Sequence, residues 1–150
     1  MNNFQLRELI IRPTLIELDM YSQEAEDLVA GTIAQESQMG QFIKQFPTGP
    51  AMGICQMETA THNSLWKHFI KYRDTISNAL WDMTVTRDAE EMIWNMKYAV
   101  AMCRIHYYSK PGSIPSNVEG LAAYWKEHYN TPNGKGQEHE FIDNYRRYAQ

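Results

Sequence analysis

The chain has no run approaching the roughly 18 consecutive apolar residues that a membrane-spanning helix requires, and it carries no internal repeat or low-complexity tract. Membrane insertion and repeat architectures are therefore not expected. An excess of basic charge is also missing, since 14 Lys and Arg stand against 18 Asp and Glu for a net charge of −4. With the signs interspersed, nothing forms the basic stripe that tracks a phosphate backbone, and nucleic acid is not an expected partner. Cysteine is scarce: Cys55 and Cys103 are the only two. They form no CxxC pair and are read as reduced, buried, small apolar side chains, with a single bridge left open. The five histidines, His62, His68, His106, His128 and His139, lack the spacing of a zinc helix or finger. No metal and no cofactor are expected. The opening MNNFQLRELIIRPTLIELDM lacks both a basic start and a small-residue cleavage site, so the expected product is a soluble chain made in the cytoplasm.

What the chain does have is core-forming material. Hydrophobic residues make up 43% of its 150 residues, with four Trp, nine Tyr and five Phe. That suits one globular domain spanning 1–150, with helices joined by Gly/Pro-rich turns. The expected fold is all-α, with room for one small β-hairpin within 42–57.

The clearest early helix opens at Ser22, an N-cap residue followed by Glu24, Glu26 and Asp27, and runs to about Met39, where Gly40 ends it. Its apolar stripe is Ala25, Leu28, Val29 and Ile33. Continuing that stripe by the same spacing lands on Glu36, close to the C-terminal end. A charged carboxylate buried there alone would cost several kcal/mol, so Glu36 must be paired, protonated or placed in a cleft.

Residues 40–57, with Pro47, Gly49, Pro50 and Gly53, read as loop or short extended structure. Helical periodicity returns from Thr59 through Tyr72 and again around Ile76 to Trp81. A long helix is expected from about Asp88, with Met92, Ile93, Met96, Ala99, Val100, Cys103 and Tyr107 on one face as the central element. After a break at 110–116, further helices are expected from Asn117 to Tyr129 and from Glu138 onward.

Three short pieces in order then carry a resemblance. Glu36-Ser37 is followed by GICQM at 53–57 with Thr59-Ala60, and later by LAAY at 121–124. Together they resemble the lytic transglycosylases, a family with a lysozyme-like helical fold and a substrate cleft. Those enzymes carry a glutamate and serine at a helix end, a Gly-x-x-Gln loop and a late Ala-Tyr motif. Asn95 matches a family asparagine between the second and third motifs. The resemblance covers roughly 25–130.

The resemblance implies Glu36 as general acid and then base, and Ser37 supporting the glutamate or substrate. It further implies that Gln56 binds sugar amide groups, Tyr124 hydrogen-bonds near the glutamate, and Asn95 belongs to the substrate-binding set. Each has a plainer reading: Gln56 as a cap of the next helix, Tyr124 as a core aromatic, Glu58 as a helix N-terminal acid. Two departures stand out. Trp125-Lys126-Glu127 replaces the family's Asn-Ala-Gly, with Trp125 offered as a stacking platform for a sugar, and Cys55 replaces Met in the Gln motif.

The activity implied by the resemblance is cleavage of the MurNAc–GlcNAc β-1,4 bond of peptidoglycan to 1,6-anhydro-muramyl ends by a monomer. A hydrolytic muramidase would recruit a second carboxylate, Glu58 or less readily Asp74. A non-catalytic wall-binding or virion module is the reading from another class, and a Cys-His peptidase on Cys55 is a remote one. Small size without an export signal points to a bacteriophage product acting in the periplasm or cell wall, or as part of a phage particle.

Overall fold

A computed structural model of the chain describes residues 1–45 and 48–150; Pro47, among the turn-marking residues above, lies outside them. The protein is mostly helical with one small antiparallel sheet. Among the described residues no helix is long and apolar enough to cross a membrane.

The N-terminal segment is helical: α1 (Asn3–Leu6) passes through a wider π-type turn, Arg7–Ile11, into α2 (Arg12–Glu17). The wide turn lies directly upstream of Pro13, which has no N–H to give to a helical ladder. Arg7 and Arg12 both reach Glu26 on α3 (Gln23–Ser37), with Arg12 Nε 2.8 Å from Oε2. Glu26 is fully buried, so this paired carboxylate docks the N-terminal segment onto α3.

Ser22 caps α3 as its position predicts, its Oγ accepting from Ala25 N at 3.0 Å. The far end is sharper than expected. Gln38, Met39 and Gly40 all take positive φ, at 49°, 60° and 83°, so the helix stops immediately after Ser37 rather than at Met39.

The hairpin pairs β1 (Ala51–Met52) with β2 (Met57–Glu58), Ala51 opposite Glu58 and Met52 opposite Met57. Gly53 turns the chain at φ 79°, where an added Cβ would lie 2.6 Å from the Met92 carbonyl oxygen. Only glycine satisfies both the backbone angle and the approach.

Beyond the hairpin come α4 (Thr59–His68) and α5 (Asp74–Met83). The single long helix expected from Asp88 is two: α6 (Glu91–Trp94) and α7 (Met96–Tyr108). Asn95 breaks them apart. Its backbone is extended, its Oδ1 accepts from Tyr98 N to cap α7, and its Nδ2 donates to Glu91 and to the Met83 carbonyl.

The chain ends with α8 (Val118–Trp125), which winds on into the π-type turn Lys126–Asn130, and α9 (Glu138–Asn144), which winds on through Tyr145–Ala149. The core lies between α3 and α7, closed by α8 and α9, with Trp125, Tyr98, Tyr107 and Phe141 among its largest fully buried side chains. The Thr32 hydroxyl on α3 donates to the Leu28 carbonyl and accepts from Tyr107 Oη on α7 at 2.8 Å. The two helices that matter most to the site are thereby pinned to each other.

Candidate active site

A cleft of about 790 Å³ runs between the hairpin and the end of α8 with its adjoining loop. Glu36, Gln56 and Glu58 line it on one side, and His106, Lys110, His128, Tyr129 and Lys135 on the other. The early helix and the Gly-x-x-Gln loop thus supply the same cavity.

Glu36 sits half-buried in the last turn of α3, with Trp125 Nε1 donating to its Oε1 at 3.0 Å. Burial pushes its carboxyl up to about 7, against the opposing pull of the Trp125 hydrogen bond, which favours the ionised form. At neutral pH the group stands between acid and base.

Gln56, at φ 49°, folds its Nε2 back onto the Gly53 carbonyl at 2.9 Å. This corrects the helix-capping alternative: α4 takes Glu58 as its N-cap residue, and Glu58 makes no side-chain capping bond there. Among the described residues the Gln56 carbonyl oxygen has no protein donor and remains open as an acceptor in the cleft. Glu58 is exposed at its rim.

Four other residues of the expected substrate set lie elsewhere. Ser37 is fully buried, its Oγ donating to the Ile33 carbonyl and accepting from Gly40 N at 2.9 Å, so it shapes the helix end that presents Glu36. Asn95 is occupied by the α6–α7 break. Trp125 has no exposed surface and packs on Phe141, so its ring cannot stack on a sugar; it acts on Glu36 from behind. Tyr124 is nearly buried and points its hydroxyl to the Pro111 carbonyl at 3.4 Å, lining a different pocket.

The departure at Lys126 also has a structural use. Its ammonium donates to Asn130 Oδ1 and to the carbonyls of Gly134 and Gly136 at 2.6–2.8 Å, holding the loop that brings Lys135 to the cleft.

Sequence reasoning missed the opposite wall. Tyr129 Oη donates to the Cys55 carbonyl at 2.6 Å, joining the α8 extension to the hairpin turn. His106 Nε2 donates to the His128 carbonyl at 2.9 Å, which makes Nδ1 the unprotonated nitrogen; Nδ1 is buried without a partner among the described residues. Burial holds the ring down to about 4, so it is neutral at pH 7. No helical spacing marked this wall in the sequence: Lys110 follows the end of α7, and Tyr124, one turn before His128, lines the other pocket.

Cys55 and Cys103 are both buried and unbridged, and burial together with the neighbouring Cys103 thiol pushes the Cys55 thiol up. Such a thiol is a poor nucleophile, which argues against the peptidase reading. Among the described residues no group of three or more His, Cys, Asp or Glu side chains is placed to hold a metal ion. No family model, curated protein or solved structure matches the chain.

Proposed function

We propose that the protein is a lysozyme-like enzyme that cleaves the MurNAc–GlcNAc β-1,4-glycosidic bond of peptidoglycan as a lytic transglycosylase. The observation that carries this reading is Glu36, a desolvated carboxyl held up to about 7 in the wall of a cleft of about 790 Å³. General-acid cleavage of an acetal near neutral pH requires a proton donor of that kind.

In this mechanism the protonated Glu36 gives its proton to the glycosidic oxygen as the C1–O bond breaks, and the leaving sugar departs as an alcohol. The muramic N-acetyl oxygen stabilises the electron-poor C1, which is how one protein carboxylate serves where most glycosidases use two. Glu36, now ionised, takes the proton of the same sugar's C6 hydroxyl while that oxygen bonds to C1. No water is consumed and Glu36 returns to its acid form. The open Gln56 carbonyl oxygen is suited to accept from an acetamido N–H. Trp125 holds the Glu36 carboxyl in a fixed orientation.

A second reading, hydrolysis by a muramidase, is favoured by one observation: Glu58 lines the same cleft and, though the N-cap residue of α4, makes no capping bond with its side chain. On either reading the protein acts on the cell wall.

Mass spectrometry of fragments released from purified peptidoglycan separates these readings. Anhydro-muramyl ends from wild type, absent with folded Glu36→Gln, support transglycosylation. Reducing muramic ends transfer the role of second carboxylate to Glu58. No fragments from either protein on several walls would overturn the enzymatic reading in favour of a binding module.

A further inference from the structure

A second pocket, of about 330 Å³, opens beside the cleft and shares Lys110 with it. Its base is Arg104 on α7, only 9% exposed. Arg104 Nε donates to the Met20 carbonyl at 3.0 Å, but neither terminal nitrogen has a hydrogen-bond partner among the described residues, and no carboxylate pairs with the guanidinium. The Tyr108 ring lies 5.7 Å from its Cζ.

A guanidinium carries five donors in a rigid fork that matches a carboxylate. Its two terminal nitrogens make no hydrogen bond among the described residues and are not sealed from solvent, so they remain open to a ligand in the pocket, and tethering the Met20 carbonyl needs one donor and no charge. Lys110 adds a second cation at the wall between the two cavities, and Ser113 adds a hydroxyl. Glu24 also lines this pocket without bonding to Arg104, so it opposes an anion rather than replacing it.

We propose that this pocket is a carboxylate-binding site, in which Arg104 and Lys110 receive the carboxylate of the peptide arm attached to the glycan lying in the Glu36 cleft. The assignment rests on the peptidoglycan reading for the identity of the glycan, while the anion site rests on Arg104. It makes the protein selective for acidic muropeptides over uncharged chitin-type oligosaccharides.

The test is calorimetric titration of Glu36→Gln protein with a disaccharide-tripeptide and with the same compound after amidation of its carboxylates. The acid form is expected to bind at least about tenfold more tightly, as a charge-assisted bidentate contact implies. Adding Arg104→Gln, which lines this pocket and not the Glu36 cleft, should remove most of that difference and leave affinity for the amidated form in place.

If Arg104→Gln does not fold, the Arg104 Nε–H resonance of the Glu36→Gln protein is monitored during both titrations, and it should move with the acid form alone. Equal affinity for the two forms, or an Arg104 resonance indifferent to charge, overturns the proposal. Wall digestion by wild type reports separately on the Glu36 reading. A free acidic tripeptide that binds through Arg104 to a protein that digests no wall would support the anion site while removing the glycan reading.

Discussion

Trp125 Nε1 donates to Glu36 Oε1 across the interface of α8 and α3, joining residues far apart in sequence at 3.0 Å. The indole is fully buried and the carboxyl faces the cleft. One side chain is therefore under two opposed influences, burial favouring its neutral form and the indole its charged form, and burial dominates.

That balance makes Glu36 a stability sensor. Its carboxyl stands at about 7 when folded against 4.5 ordinarily. The folded state therefore holds a proton that the unfolded state releases, and stability is full below about 4.5 and is lost as pH rises through 7. The loss is about 3 kcal/mol at the upper end. Glu36→Gln cannot ionise, so it should melt on the order of 5–10 °C above wild type at pH 8 and nearly with it at pH 4. Calorimetric scans at the two pH values check this without any substrate. Coincident curves at pH 8 would show that Glu36 is not desolvated.

Trp125→Phe removes the donor and leaves a ring of similar shape. The Glu36 carboxyl should titrate higher still, because the group that favoured its charge is gone, and the alkaline limb of any glycan-cleaving activity should move up with it. Stability should fall by about 1–3 kcal/mol from the smaller ring and the lost hydrogen bond. Carboxyl-carbon NMR titration reads the shift directly. An unchanged or lowered midpoint would remove Trp125 from the account of the site.

Gly31→Ala tests how closely α9 packs on α3. Helix propensity alone favours alanine by about 1 kcal/mol. Here, however, the added methyl would meet the Phe141 ring, with Tyr145 Cδ2 at 3.0 Å beside it. Overpacking should prevail, for a net loss of about 1–3 kcal/mol measured by denaturant unfolding. A stabilised variant would mean that Phe141 and Tyr145 yield easily.

Glu26→Gln should be costly for the opposite electrostatic reason. Burial works against the Glu26 charge, but the hydrogen bonds from Arg12 and Arg7 outweigh it and hold the carboxyl below its ordinary range. Its contribution is present above about pH 4.5 and is lost as pH falls through the folded value. The variant should lose about 1–3 kcal/mol at pH 7, because Arg7 and Arg12 trade a charged acceptor for a neutral one while Arg7 keeps Asp27 and Arg12 keeps Glu8, and should differ less from wild type at pH 3. An equal deficit at both pH values would point to packing instead of charge.

The start of α3 was legible in sequence because capping is local: Ser22 bonds to an amide three residues away, and the apolar stripe to Ile33 needs only helical spacing. The same is true of Asn117, which caps α8 through Gly120 N at 2.7 Å. The break at Asn95 was not legible. The apolar pattern runs unbroken from Met92 to Tyr107, and besides its local cap on Tyr98 N the Asn95 side chain is held out of a continuous helix by the distant Met83 carbonyl and the buried Glu91 carboxylate. In the site, Glu36 and Gln56 stood out in sequence, whereas Trp125 was read as a sugar platform because nothing local reveals which way an indole faces.

The sequence by itself determined the helical character, the turn-rich segment before Thr59, and a carboxylate in line with an apolar face. These depend on periodicity, capping and backbone angles, which act over a few residues. Only the tertiary structure decided that Glu36 is desolvated with an indole at its back, that Ser37, Asn95 and Tyr124 serve the framework, and that Arg104 is buried without a counter-charge. Dehydration and charge pairing depend on which groups from remote parts of the chain close over a side chain, and no local pattern of residues encodes that.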